Sequence, residues 1–121
     1  MRSTTAMKTI TASRPASLPA AVTRYLEAAN RFDAVVAADC FTADASVHDE
    51  NHDYVGRDAI RAWVAHTSGK YRPAFCVLRA TMSGDAVSLS VAVSGQFPGS
   101  PVTLDYQLRL RDGKIFTLTI E

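Results

Sequence analysis

From Tyr71 onward the hydrophobic period of this chain is two, whereas before it the period is helical. That switch constrains the fold more than composition does. Val87, Leu89, Val91 and Val93 alternate with Ser88, Ser90, Ala92 and Ser94, the mark of a strand with one buried and one solvated face. Val102, Leu104, Tyr106, Leu108 and Leu110 alternate in the same way with Thr103, Asp105, Gln107, Arg109 and Arg111. Phe75-Cys76-Val77-Leu78-Arg79 reads as an earlier strand, and Lys114 to Glu121 as a last one. Ser83-Gly84-Asp85, the turn formers from Gln96 to Pro101, and Asp112-Gly113 separate them, the last being a strong hairpin signal. Short connections between successive strands predict a four-strand antiparallel meander.

Upstream, Leu18, Val22, Tyr25, Leu26 and Ala29 fall on one helical face. Ser17 is placed to cap that helix, with Pro19 in its first turn, where a missing N–H costs little. Asp33 can cap a second, shorter helix running to Phe41. Ala45-Ser46-Val47-His48-Asp49 reads as a short strand whose apolar face carries Ala45 and Val47, so parity turns Asp49 inward and His48 outward. After a polar loop, Gly56 opens a third helix with Ile60, Trp63, Val64 and Thr67 on its buried stripe and Gly69 as its stop. Helices followed by a meander predict an α+β fold: three helices packed on a curved sheet, leaving a cone whose mouth holds a small ligand.

A chain of 121 residues is long enough for one core. We expect residues 1–17 to be a flexible N-terminal segment and 18–121 a single domain. The net charge of +1 and the lack of a basic aromatic stripe argue against nucleic-acid binding. No apolar run reaches membrane-spanning length, and the first residues have no secretory pattern. The expected setting is the cytoplasm, with no membrane partner. Cys40 and Cys76 make no disulfide framework and read as small hydrophobes.

The stretch from Phe41 to Trp63 holds two of the three histidines and five acids. His48, Asp49 and His52 invite a metal reading, but three ligands at that spacing across strand and loop do not converge. With no glycine-rich phosphate loop either, no metal or cofactor is expected. His52 could reach the mouth of a pocket or stay solvated in its loop. His48 reads as surface or interface, His66 as a helix-end histidine favoured by the dipole, and Trp63 as core or pocket wall. Tyr25 has two open readings, a core tyrosine or a hydroxyl donor. Asp49 likewise either braces the following loop or serves the pocket.

The run Phe-x-x-Asp-Ala-x-Val-x-Asp at Phe41–Asp49, followed by Gly-x-x-Ala-Ile-x-x-Trp at Gly56–Trp63, resembles the nuclear transport factor 2-like superfamily, and in particular its SnoaL-like and ketosteroid isomerase-like branch. The resemblance spans about residues 18–121. Arg24-Tyr25-Leu26 is similar to the first-helix Arg-Tyr-Ile of the ketosteroid isomerases, and Val47-His48-Asp49 to their Val-Glu-Asp. It implies Tyr25 as a hydroxyl donor to a developing oxyanion and Asp49 as the base. The second oxyanion acid of those enzymes falls at or near Tyr106, and their proline after the catalytic aspartate is Glu50 here. The resemblance also implies a homodimer formed through the outer face of the sheet.

These readings lead to one expectation: a cone lined by Tyr25, Val47, Asp49, Trp63 and Tyr106, with His52 at its mouth, binding a small apolar or carbonyl-containing molecule. Asp49 and Tyr25 would be catalytic, moving a proton beside a carbonyl in an isomerisation, cyclisation or dehydration. A non-catalytic ligand-binding or dimerisation module is the alternative.

Overall fold

The computed structural model describes residues 8–11 and 18–121. In chain order its elements are β1 (Lys8–Thr11), α1 (Ala20–Asn30), α2 (Ala34–Asp39), β2 (Phe41–Asp49), β3 (His52–Val55), α3 (Arg57–Tyr71), β4 (Ala74–Ser83), β5 (Ala86–Ser94), β6 (Val102–Arg111) and β7 (Lys114–Ile120). The strands form one mixed sheet in the order β1-β4-β5-β6-β7-β2-β3. β4 to β7 are the expected antiparallel meander. β2 joins it by a parallel pairing with β7, which needs a crossover and so places helices on one face. The fold is the α+β cone that the period switch predicts.

The helices begin where local chemistry starts them. Asp33 accepts a hydrogen bond from the Val36 N–H at 3.1 Å and caps α2. Pro19 occupies the cap position of α1, while Ser17, the expected cap, lies outside the described residues. α3 follows Gly56, whose φ of +91° a side chain would resist. It continues past Gly69 to Tyr71 and stops at Arg72, which takes a left-handed conformation. Gly69 is therefore inside the helix and not its stop.

Lys8–Thr11, within the segment expected to be flexible, pair with β4; the remainder of that segment is outside the described residues. Two further expectations are corrected. Phe41 opens β2 and does not end α2. The polar loop after Asp49 is a hairpin: Glu50 and Asn51 both take positive φ, at 50° and 66°, the conformation of a two-residue primed turn. β3 then pairs back on β2.

The core lies between the helices and the inner face of the sheet. Phe41, Ile60, Ile115 and Leu118 are its largest fully buried side chains, each contributing about 1.5–3 kcal/mol by burial. Val47, Leu118, Leu108 and Val87 form one row across four strands and seal the base of the cone.

Candidate active site

One step along the strands from that sealed row, the inner face changes character. The pairing of His48 with Thr119 carries on to set Asp49 beside Ile120, and Ile120 is paired with Tyr106. Asp49 and Tyr106 thus flank Ile120 on one face, roughly 10 Å apart at the spacing of neighbouring strands. They line a cavity of about 660 Å³ whose other walls come from α1 (Tyr25, Ala29), α3 (Trp63, Val64, Thr67, Ser68, Tyr71) and the far ends of β5 and β6 (Val93, Val102, Leu104). Its mouth carries Glu50, Asn51, Phe97, Pro98 and Glu121.

Trp63 donates its indole N–H to Asp49 Oδ2 at 3.0 Å. Asp49 is half-buried, and desolvation raises its pKa above the usual carboxylate value. The Trp63 hydrogen bond pulls it back, and the nearby Glu50 charge adds to the rise. Trp63 in turn stacks on Tyr54 of β3, ring centroids 5.9 Å apart and 30° between planes. The hairpin that displaced the expected loop is therefore what backs the indole.

Two phenols complete the polar inventory. Tyr25 and Tyr106 are each only 2% exposed. Burial pushes both hydroxyl pKa values up, and the Asp49 charge contributes to each rise. Neither hydroxyl has a protein hydrogen bond among the described residues, yet no sealed-off polar side-chain atom there lacks a partner. Both hydroxyls therefore open on the cavity. Tyr25 is held edge-on against Phe41, centroids 5.4 Å apart at 86°, so its ring belongs to the core while its oxygen does not.

The structure brings together Tyr25, Asp49, Trp63 and Tyr106 among the residues expected from sequence. It does not bring Val47 or His52. Val47 shares the face of Asp49 but sits one row deeper, fully buried and away from the cavity. His52 is exposed; its Nδ1 lies 2.9 Å from the Glu50 carbonyl oxygen, and its ring leans toward Tyr54. His48 borders the mouth, but its imidazole pairs across the hairpin with Asp53 at 2.7 Å. Sequence reasoning missed Tyr71, Phe75 and Phe97. The available signal was an aromatic residue set in a turn-rich connection, Gln96-Phe97-Pro98-Gly99. Gln96 N–H donates to the Tyr71 carbonyl at 2.7 Å, and Phe97 meets Tyr71 edge-on at 5.8 Å, so this connection and the end of α3 form one wall.

No curated protein matches the chain. Solved structures do. A candidate polyketide cyclase of Sinorhizobium meliloti is 34% identical, with a TM-score of 0.85 over 88% of this chain and 98% of that one. A protein of Catenulispora acidiphila with a ketosteroid isomerase-like fold, solved with trimethylamine, is 22% identical, with a TM-score of 0.77 over 87% and 86% of the two chains. A nuclear transport factor 2-like protein of unknown function from Cytophaga hutchinsonii is 15% identical, with a TM-score of 0.71 over 84% and 85%; at these lower identities the likeness is one of fold. The family model of the SnoaL-like domain matches residues 22–117, and the chain belongs to the SnoaL-like family.

Proposed function

We propose that this protein catalyses proton transfer beside a carbonyl group of a small, mostly apolar molecule, with Asp49 as the base and Tyr25 as donor to the carbonyl oxygen. One observation carries the reading. The Asp49 carboxylate stands half-buried, its Oδ2 held by the Trp63 indole, in a cavity that holds two open phenol hydroxyls. A carboxylate whose pKa is raised toward the working pH is a better base than a solvated one. In the step, Asp49 takes the α-hydrogen as a proton, and the C–H electron pair moves into the enolate. The enolate oxygen accepts a hydrogen bond from Tyr25. Return of the proton at another carbon gives isomerisation. Attack of the enolate carbon on a second carbonyl, with the proton passing from Asp49 to the new alkoxide, gives cyclisation. The 34% identical Sinorhizobium neighbour, named as a candidate cyclase, supports the second outcome.

The test is α-deuterium exchange of 2-decalone in D₂O, followed by NMR. Exchange above the buffer rate, reduced by about 10²–10⁴-fold in Asp49→Asn, is expected. Binding of the ketone without protein-dependent exchange would assign the chain to ligand binding alone.

We further propose self-association through the outer sheet face. Thr103, Asp105 and Gln107 are exposed there, and Ser88 donates to Gln107 across the strands at 2.6 Å. This surface is polar and sparingly charged. Sedimentation equilibrium giving only monomer at high concentration would exclude it.

A further inference from the structure

We propose that the cavity selects against anions, so that its ligand is a neutral or ammonium-bearing apolar carbonyl compound. The inference rests on the site described above and names the charge class of what it takes.

Three carboxylates border the cavity, Asp49 in the wall and Glu50 and Glu121 at the mouth, and among the described residues no lysine or arginine lines it. The cations next in sequence to lining residues are engaged elsewhere. Arg24, beside Tyr25, pairs with Asp39, while Arg72, beside Tyr71, lies over the Phe32 ring. Lys70 has its Nζ 5.1 Å from the Tyr71 ring centroid but does not itself line the cavity. The His48 imidazole is matched by Asp53.

An anion entering this site loses water and meets the Asp49 carboxylate with no counter-ion, and repulsion between like charges grows as the surroundings become less polar. The site offers a ligand two other things. Aromatic rings of Trp63, Tyr71, Phe75 and Phe97 present apolar surface, whose faces attract an ammonium group. The hydroxyls of Tyr25 and Tyr106, buried and without protein partners among the described residues, wait for an acceptor. A carbonyl deep in the cavity, with any positive charge near the acidic mouth, satisfies both.

Trp63 is the only tryptophan in the chain, so its fluorescence reports occupancy. The probes are 2-decalone, the same ketone with a carboxylate on the distal ring, and the same with a trimethylammonium group there. The carboxylate probe is expected to bind at least about tenfold more weakly than 2-decalone, and the trimethylammonium probe at least as tightly. Asp49→Asn should narrow the carboxylate penalty, and Glu50→Gln with Glu121→Gln should erase any ammonium advantage. A carboxylate probe that binds as tightly as the ketone, or no binding by any of the three, overturns the proposal. Because the readout is binding, a retained charge order without proton exchange upholds this inference and removes catalysis. Exchange without charge order does the reverse.

Discussion

Trp63 hands its indole N–H to Asp49 Oδ2 at 3.0 Å, tying the middle of α3 to the last residue of β2. The bond favours the charged form of Asp49 against desolvation, which favours the neutral one. Trp63→Phe keeps a ring beside Tyr54 and deletes the donor. The pKa of Asp49 should then rise further, and the acid limb of any pH–rate profile should move to higher pH. Losing a hydrogen bond to a charged group should also cost about 1.5–3 kcal/mol of stability at a pH where Asp49 is ionised. Carboxyl-carbon NMR of labelled Asp49 checks the first effect, and an unmoved titration would contradict it.

Asp49 also links stability to pH. An aspartate in an unfolded chain titrates near about 3.9, and folding raises Asp49 above its ordinary value. The folded state therefore holds this proton more tightly. The stability that Asp49 contributes is fully present below its unfolded pKa and is lost as pH rises through the folded one. Asn cannot ionise. Relative to wild type, Asp49→Asn should gain stability as pH increases across that window. Urea unfolding at a series of pH values measures the gap, and a gap that fails to widen with pH would refute the sign.

Tyr25 and Tyr106 separate catalysis from packing. Neither hydroxyl is held by a protein hydrogen bond among the described residues, and phenylalanine preserves each ring, including the edge-on contact of Tyr25 with Phe41. Tyr25→Phe and Tyr106→Phe should each change stability by no more than about 0.5 kcal/mol. If Tyr25 steadies the enolate, its loss should raise the barrier by about 2.7–4 kcal/mol. Parallel denaturation and exchange assays decide. A large stability loss with unchanged exchange would make Tyr25 a structural tyrosine.

The sequence made the sheet legible because strict alternation after Tyr71 has one reading over strands of that length. The inward turn of Asp49 came from the same parity. Parity assigns a face but not a depth, which is why Val47, on the correct face, was expected in a cavity it lies beneath. His52 failed for a different reason. Glu50-Asn51 is not a glycine-containing turn, so the hairpin was invisible, and with it the strand that carries Tyr54 behind Trp63. Phe41 follows an unbroken helical run, and only its pairing with Ile115 on the distant β7 pulls it into a strand. Tyr71, Phe75 and Phe97 converge through tertiary contacts that no local pattern encodes.

Two glycines expose the same distinction between local signal and tertiary context, with opposite signs. Gly69 has the look of a helix stop but lies inside α3, and a Cβ there would meet nothing within 4 Å. Gly69→Ala should therefore stabilise the protein by about 0.5–1 kcal/mol through helix propensity and a less flexible unfolded chain. Gly95 lies in an ordinary-looking turn, yet its Cβ would come 2.6 Å from the Tyr71 carbonyl oxygen and 3.3 Å from Pro73 Cα. Those are backbone atoms and cannot swing aside. The Tyr71 carbonyl also accepts the Gln96 N–H, so the connection has to move as a unit and carry Phe97 off Tyr71. Gly95→Ala should cost about 1–3 kcal/mol and weaken binding of 2-decalone in the protein that remains folded. Thermal unfolding of both variants, with Trp63 fluorescence titration of the second, tests the pair. Equal and small effects at the two sites would mean that the wall built by Tyr71 and Phe97 is not held by this close approach.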